Sequence, residues 1–253
     1  MAFSTSKSNQ TEAIAIGLCG AAGRMGREIF RATAFSPDLY IARAYEAPGH
    51  RSLGMKIGET AIEADDVPNF LEDCRVLVDF SAPPENIASH LEKSAEKKIP
   101  AVIGSTGISE ETRDKMETLA KVIPILYAAN MSLGVNLLIA LAQRTQEVLG
   151  GGFDIDVVET HHRGKKDAPS GTALMIEQQL RMIDPEVVVN HHSIRAGDVI
   201  GEHTVFFTGV GERLELTHRA GSREAFTKGV LAAVHFITNQ GPGFYDMRKV
   251  LGI

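Results

Sequence analysis

Short apolar runs alternate with amphipathic stretches through the first half of the chain. Nearly all-apolar segments at 13–17, 39–45, 76–80, 101–103 and 123–127 read as strands, and 25–35, 85–97 and 110–120 between them read as helices. Strands without a polar face, separated by helices, predict a parallel sheet covered on both sides. After about residue 148 the pattern changes. Segments 153–159, 186–195, 203–208 and 213–220 alternate apolar and polar positions, and one helix, 173–182, interrupts them. Turns such as Ala196-Gly197-Asp198 and Gly209-Val210-Gly211 separate the later ones. This predicts a mostly antiparallel or mixed sheet in a second, smaller α+β domain. A last helix is expected over 226–238, then a turn at Gly241-Pro242-Gly243 and a short tail, 245–251, returning to the first domain.

The uncharged stretch 122–142 is long enough to span a bilayer. Pro124, Asn130, Ser132, Gly134 and Asn136 interrupt it, so the expectation is a buried strand at 122–128, a polar turn at 130–132 and a buried helix over 133–148. No membrane partner follows. The turn lies beyond a strand's C-terminal end, where ligands sit in such sheets. The first twelve residues are polar and lack an apolar run, which reads as a loose tail rather than a signal peptide.

Composition narrows the classes. The chain has 253 residues, 43% of them hydrophobic, enough for one large domain or two small ones. Its net charge of −6 argues against a nucleic-acid partner. Two cysteines, Cys19 and Cys74, make no disulfide framework and fit a reducing compartment. No histidine or cysteine spacing suggests a metal, and the adjacent His191 and His192 would point to opposite faces of a strand.

Two motifs carry chemistry. The apolar run Ile14-Ala15-Ile16-Gly17-Leu18-Cys19 leads into Gly20-Ala21-Ala22-Gly23-Arg24-Met25-Gly26, then a helix. Strand, glycine turn and helix is the context of a dinucleotide fingerprint: one glycine for the tight turn, one for backbone approach to pyrophosphate, one for helix–strand packing. The spacing is G-x-x-G-x-x-G rather than G-x-G-x-x-G. Glu46 ends the second apolar run twenty residues after Gly26, where an acid can accept the ribose hydroxyls of NAD. The plain alternative is a glycine-rich turn with a surface glutamate.

The second motif is His161-His162-Arg163-Gly164-Lys165-Lys166-Asp167-Ala168-Pro169-Ser170-Gly171-Thr172-Ala173. A cationic loop runs into a Ser/Thr-capped helix start, whose free N–H groups and dipole suit a carboxylate or phosphate. On an acidic chain this is a local anion-capture feature. The alternative is a solvated basic turn.

The sequence resembles the dihydrodipicolinate reductases. The matching blocks are the glycine turn, Gly104-Ser105-Thr106-Gly107, Ala128-Ala129-Asn130-Met131-Ser132, the His161–Ala173 stretch, and Arg195-Ala196-Gly197-Asp198-Val199-Ile200-Gly201-Glu202-His203. The resemblance implies an α/β fold: a Rossmann-type doubly wound parallel sheet, 11–131 with 222–253 packing back on it, and a substrate-binding and oligomerisation domain of mixed open sheet, 132–221. It implies NAD(P)H-dependent reduction of a cyclic dicarboxylate in lysine and diaminopimelate synthesis, by a homotetramer in the cytoplasm, or in the plastid stroma for a plant protein. His161 and Lys165 resemble the family's proton-handling residues. His162, Ser170, Gly171 and Thr172 resemble its substrate contacts. Gly20, Ala21, Ala22, Gly23, Arg24, Met25, Glu46, Gly104, Ser105, Thr106, Ala128, Ala129, Asn130 and Met131 match its cofactor contacts. Lys166 reads as a solvated charge.

The chain departs from the family pattern in places. Ser105 stands where Thr is frequent, Met131 where Phe is frequent, and Asp156 where Glu is usual. Members that use NADPH readily often carry an Arg after the ribose-binding acid; here Ala47-Pro48 follows Glu46. The cofactor is expected to be NADH or NADPH, with NADH at least as good, unless Arg51, His50 or Arg24 replaces that Arg. Two other functions fit parts of the sequence. One is another Rossmann oxidoreductase of amino-acid metabolism, such as a semialdehyde or homoserine dehydrogenase; the acyl-transferring type would need a nucleophilic cysteine. A non-catalytic NAD(H) sensor would need the fingerprint without His161, Lys165 and the Ser170-Gly171-Thr172 turn.

Overall fold

The computed structural model describes residues 13–253; the polar stretch 1–12, with its expected loose tail, lies outside the described residues. In chain order the elements are β1 (Ile14–Cys19), α1 (Arg24–Thr33), β2 (Leu39–Glu46), β3 (Lys56–Ile57), β4 (Thr60–Ala64), β5 (Val76–Asp79), α2 (Ile87–Glu96), β6 (Ala101–Ile103), α3 (Glu110–Leu119), β7 (Pro124–Tyr127), α4 (Leu133–Leu149), β8 (Asp154–His161), α5 (Gly171–Arg181), β9 (Val189–Arg195), β10 (Gly201–Gly209), β11 (Glu212–Ala220), α6 (Glu224–Ile237), β12 (Gly243–Tyr245) and α7 (Met247–Leu251). Two compact units result. One runs to Ile125 and takes in Ile237–Phe244; the other comprises Leu126–Phe236 and Tyr245–Ile253.

The larger sheet has the order β12-β7-β6-β5-β1-β2-β4-β3. Strand β1 pairs in parallel with β2 and β5, β2 with β4, and β5 with β6. Strands after β1 run outward in one direction and those from β5 in the other. The C-terminal ends of β1 and β5 therefore flank the switch point of a doubly wound sheet, where such folds bind ligands. The strands are apolar because both faces are covered: Ile16, Leu18, Val76, Leu77, Val78, Val102 and Ile103 are all fully buried. Each such side chain contributes roughly 1.5–3 kcal/mol. The hairpin of β3 and β4 was not foreshadowed, since it is short and only Ile62 in it is buried.

The second sheet has the order β11-β10-β8-β9, with β8 and β9 parallel and the other neighbours antiparallel. Alternation along β8 buries Ile155 and Val157, and along β10 Val205 and Phe207, against Val135, Leu138, Ile139 and Ala142 of α4 and Ala173, Ile176 and Leu180 of α5. Helices α4 and α5 start where Ser132 and Ser170 accept the amides of Val135 and Ala173, which satisfies one orphan donor of each first turn. The long uncharged stretch is thus a strand, a turn and a buried helix, and no helix among the described residues is long and apolar enough to cross a membrane.

Of the segment 222–253, expected to return to the first domain, only Ile237–Phe244 joins the first unit. Strand β12 adds beside β7 at the edge of the large sheet. Helix α7 stays with the second unit because it packs on α4, where the Arg248 guanidinium donates to the side-chain carbonyl of Gln143.

Candidate active site

The first unit gathers the glycine turn, Glu46 and the Gly104-Ser105-Thr106 turn at the C-terminal ends of its strands. Gly20 has φ +74°, and a Cβ there would stand 2.6 Å from the Phe80 carbonyl oxygen. A Cβ on Gly26 would stand 2.3 Å from the Gly20 carbonyl oxygen. The first glycine therefore makes the turn and the last lets α1 close on it, as a dinucleotide cradle requires. Gly23 caps α1 in extended conformation and is exposed with Arg24, Ala22 and Met25 are half-buried, and Ala21 is buried. The Ala22 amide donates to Glu46 Oε1 at 2.7 Å, which fixes the carboxylate beside the turn. Gly104 is required too: a Cβ would meet the Phe80 ring at 2.1 Å. Ser105 is buried and Thr106 exposed at the next strand end. A cradle that no side chain could enter, next to a fixed carboxylate, fits a dinucleotide.

The second unit builds a charged cluster on the helix-covered face of its sheet. Register places Glu159 and His161 on β8 beside Ser193 and Arg195 on β9, and Glu159 opposite His203 on β10. Glu159 is fully buried. It receives both Arg195 terminal nitrogens, at 2.7 and 2.9 Å, and the Ser170 amide at 3.3 Å. His161 Nδ1 lies 2.5 Å from its other side. Burial by itself would raise the Glu159 pKa, but bonds from Arg195, Ser193 and His161 pull it down to about 2. An ionised Glu159 only accepts, so His161 carries its proton on Nδ1 and presents Nε2. Burial holds His161 below its ordinary range; the Glu159 bond opposes this, and the Lys165 and Arg195 charges reinforce it. Gly201 makes room for the ring, since a Cβ there would lie 3.1 Å from Nε2.

Lys165 is half-buried, with Nζ 2.7 and 2.9 Å from the carboxylate oxygens of exposed Asp167. Arg195 also donates to the Asp167 carbonyl at 2.7 Å, tying that loop to β9. Lys166 and Arg163 are exposed, and His162 is half-buried in the turn that follows β8. Ser170 caps α5 and its hydroxyl lies 3.0 Å from His203 Nε2. Gly171 is exposed and a Cβ there would meet nothing within 4 Å. The first-turn amides of Gly171 and Thr172 have no carbonyl four residues back inside the helix, so this end of α5 can receive a carboxylate. Asn130 reaches Thr172 Oγ1 at 3.0 Å and holds the Ser132 amide at 2.9 Å, which links the Ala128-Ala129-Asn130-Met131 turn to the start of α5. Met131 itself is buried.

Sequence reasoning missed Glu159, Arg195 and His203 as site residues. His191 and His192 do part to opposite faces, to Glu177 on α5 and Asp156 on β8, each at 2.8 Å. Both cysteines are buried. Burial pushes the Cys74 thiol up to about 12 and Cys19 well above its ordinary value, so neither is a nucleophile for acyl transfer.

Family models described as the N-terminus and the C-terminus of dihydrodipicolinate reductase match residues 14–131 and 134–251. A 4-hydroxy-tetrahydrodipicolinate reductase of Rubrobacter xylanophilus is 41% identical, with 94% of this chain and 98% of that protein aligned. One of Trichlorobacter lovleyi is 40% identical over 95% of this chain and 99% of its own length. A dipicolinate-bound dihydrodipicolinate reductase from Paenisporosarcina sp. TG-14 shares the fold, with a TM-score of 0.77 at 21% identity over 92% of this chain and 97% of that one. The chain therefore belongs to the dihydrodipicolinate reductase family of NAD(P)H-dependent oxidoreductases.

Proposed function

We propose that this protein reduces 4-hydroxy-tetrahydrodipicolinate to tetrahydrodipicolinate in lysine and diaminopimelate synthesis, with Lys165 and His161 handling the proton. The observation that carries this reading is the grouping of Lys165, His161 and the open N-terminus of α5 around the buried Glu159 and its half-buried partner Arg195. A bound nicotinamide supplies the hydride. The Gly171 and Thr172 amides, with the Thr172 hydroxyl, receive a substrate carboxylate. That carboxylate competes with Asp167 for Lys165 Nζ and turns the ammonium towards the ring. Hydride addition leaves electron density that one proton must quench, and Nζ–H is the donor. His161 Nε2, its ring held by Glu159 through Nδ1, takes up and returns the proton as Lys165 is recharged. His162 contacts the substrate from the adjoining turn.

The cofactor contacts are assigned to Gly20, Ala21, Ala22, Gly23, Arg24, Met25, Glu46, Gly104, Ser105, Thr106, Ala128, Ala129, Asn130 and Met131. We assign a homotetramer as the working form. Supporting this, the sheet face turned away from α4 and α5 carries Val158, Ile194, Thr204, Phe206 and Thr217, and Ile194 is 47% exposed. Two free, buried cysteines suit the reducing cytoplasm. The test is oxidation of NADH or NADPH with enzymatically generated substrate. Turnover only in its presence is expected; a folded sample that leaves the nucleotide unoxidised overturns the reading.

A further inference from the structure

The first unit contains a buried charge cluster that the chemistry above does not use. His90 on α2 is 1% exposed. Its Nδ1 lies 2.7 Å from Asp79 Oδ2 and its Nε2 3.0 Å from Asp65 Oδ2. Asp79 ends β5 and is fully buried, and Asp65 follows β4. Both ring nitrogens face carboxylate oxygens, so both carry protons and the ring is an imidazolium. Burial opposes that charge, but the bonds and charges of Asp79 and Asp65 outweigh it and raise the His90 pKa. Also facing the cluster are the Cys19 thiol from β1 and Lys93 from α2, the latter donating to the Asp65 carbonyl at 2.7 Å. Here both His90 ring nitrogens are engaged by carboxylate oxygens, and burial holds the Cys19 thiol in its protonated form.

The two carboxylates belong to the backbone that frames the nucleotide cradle. The other Asp79 oxygen accepts the Ser81 amide at 2.8 Å and its hydroxyl at 2.5 Å. That fixes the turn whose Phe80 carbonyl packs on Gly20 and whose Phe80 ring packs on Gly104. The Asp65 amide donates to the Glu46 carbonyl at 3.0 Å, beside the carboxylate that holds Ala22.

We propose that His90 is a positioning residue of the nucleotide site: its imidazolium clamps Asp65 to Asp79 and so holds the Glu46 end and the Phe80-Ser81 end of the strand edge at fixed separation. This rests on the reading of that edge as a nicotinamide dinucleotide site. A clamp of this kind acts on binding, because a small displacement of a cradle wall costs affinity throughout the site.

The test combines three measurements on the full chain. NMR of the unaltered protein reports the His90 ring nitrogens, and a doubly protonated ring at pH 7.5 is expected. NADH titration by its own fluorescence is expected to give a Kd about tenfold higher for His90→Gln, with kcat at saturating nucleotide within about threefold of the parent. Should His90→Gln not fold, Asp65→Asn keeps an acceptor for Nε2–H while removing one charge, and a smaller rise in Kd is expected. A neutral ring, or an unchanged Kd in the folded variant, overturns the clamp. Absence of NADH binding to the unaltered protein overturns the nucleotide reading itself, while the NMR result still decides the charge on His90.

Discussion

The Ser170 hydroxyl stands 3.0 Å from His203 Nε2 while its oxygen accepts the Ala173 amide at 3.1 Å. The hydroxyl keeps a second lone pair as well as its own proton, so it can donate to or accept from Nε2, and the ring's tautomer sets the direction of the bond. His203 is thereby joined to the start of α5. Burial, and then the neighbouring His161, lower its pKa to about 4.

The consequence is an acid sensitivity with a definite sign. The unfolded ring takes a proton near its ordinary value of 6.5, whereas the folded one resists until about 4. The contribution to stability is complete above the unfolded value and is lost as pH falls through that window, on the order of 3 kcal/mol. Urea unfolding at pH 7.5, 6, 5 and 4 checks it. His203→Gln is expected to flatten this part of the curve relative to the parent. Equal slopes in parent and variant would show that His203 does not carry this sensitivity.

Glu159 is the buried acid on which Arg195, His161, Ser193 and the Ser170 amide converge. Glu159→Gln keeps the shape but removes the charge and one acceptor oxygen, so Arg195 loses its bidentate anion and the new amide nitrogen faces N–H donors on one side or the other. Arg195 keeps some access to water, so the loss falls below the about 3–5 kcal/mol of a fully buried pair, and a clear fall in Tm is expected. Turnover should fall as well, because the His161 tautomer is no longer fixed. In the parent, the folded pKa of about 2 against an ordinary value of 4.5 means that the Glu159 contribution is present above pH 4.5 and is lost as pH falls towards 2. The variant should lack that loss. A Tm and acid slope like the parent's would make Glu159 a bystander.

Lys165→Ala and His161→Ala address the proton directly. A missing donor removes an interaction made mainly in the transition state, so kcat should drop by about 10²–10⁴-fold while NADH affinity holds. Thr172→Ala should behave differently and raise the substrate KM more than it lowers kcat, since it removes a ground-state contact at the mouth of α5. Steady-state kinetics with separate nucleotide titrations distinguish the three. Near-normal turnover in both Lys165 and His161 variants would sink the assignment.

Why these residues differ in legibility follows from how they come together. Gly20, Gly26 and the Ser170-Gly171-Thr172 cap are local devices, each readable from a few neighbouring residues, and each falls where the pattern placed it. Arg195 and His203 reach Glu159 only through strand pairing across 36 and 44 residues of chain, and no short-range period encodes that register. One signal was available. Ile155, Val157, Glu159 and His161 share a period of two, which puts a carboxylate and an imidazole on an apolar face and demands a buried partner for both. The turn that begins at Asp79 is legible as a polar strand end, but its meeting with Asp65 and His90 is not, for the same reason: three elements meet at one point, and no short-range period encodes the contact.

The expectation that NADH serves at least as well as NADPH rests on the end of β2. Glu46 Oε1 is held by the Ala22 amide at 2.7 Å, so this carboxylate stays beside the glycine turn rather than swinging into solvent. In that position it accepts free ribose hydroxyls and repels a 2′-phosphate. An Arg at the next position would offset the repulsion by stacking on adenine and pairing the phosphate, but Ala47 does neither. Arg51 is exposed beyond a turn that includes Gly49 at φ +78° and closes with the His50 amide on the Ala47 carbonyl at 3.0 Å. It must therefore reach back over that turn to touch a phosphate. The expected outcome is a kcat/KM for NADH at least equal to that for NADPH at matched ionic strength. Glu46→Gln should shift the ratio towards NADPH, because it removes the repelling charge while keeping an acceptor for the Ala22 amide. Arg51→Ala should leave NADH kinetics unchanged and lower NADPH use only to the extent that Arg51 folds over. A clear NADPH preference that survives Arg51→Ala would place Glu46 outside the ribose site.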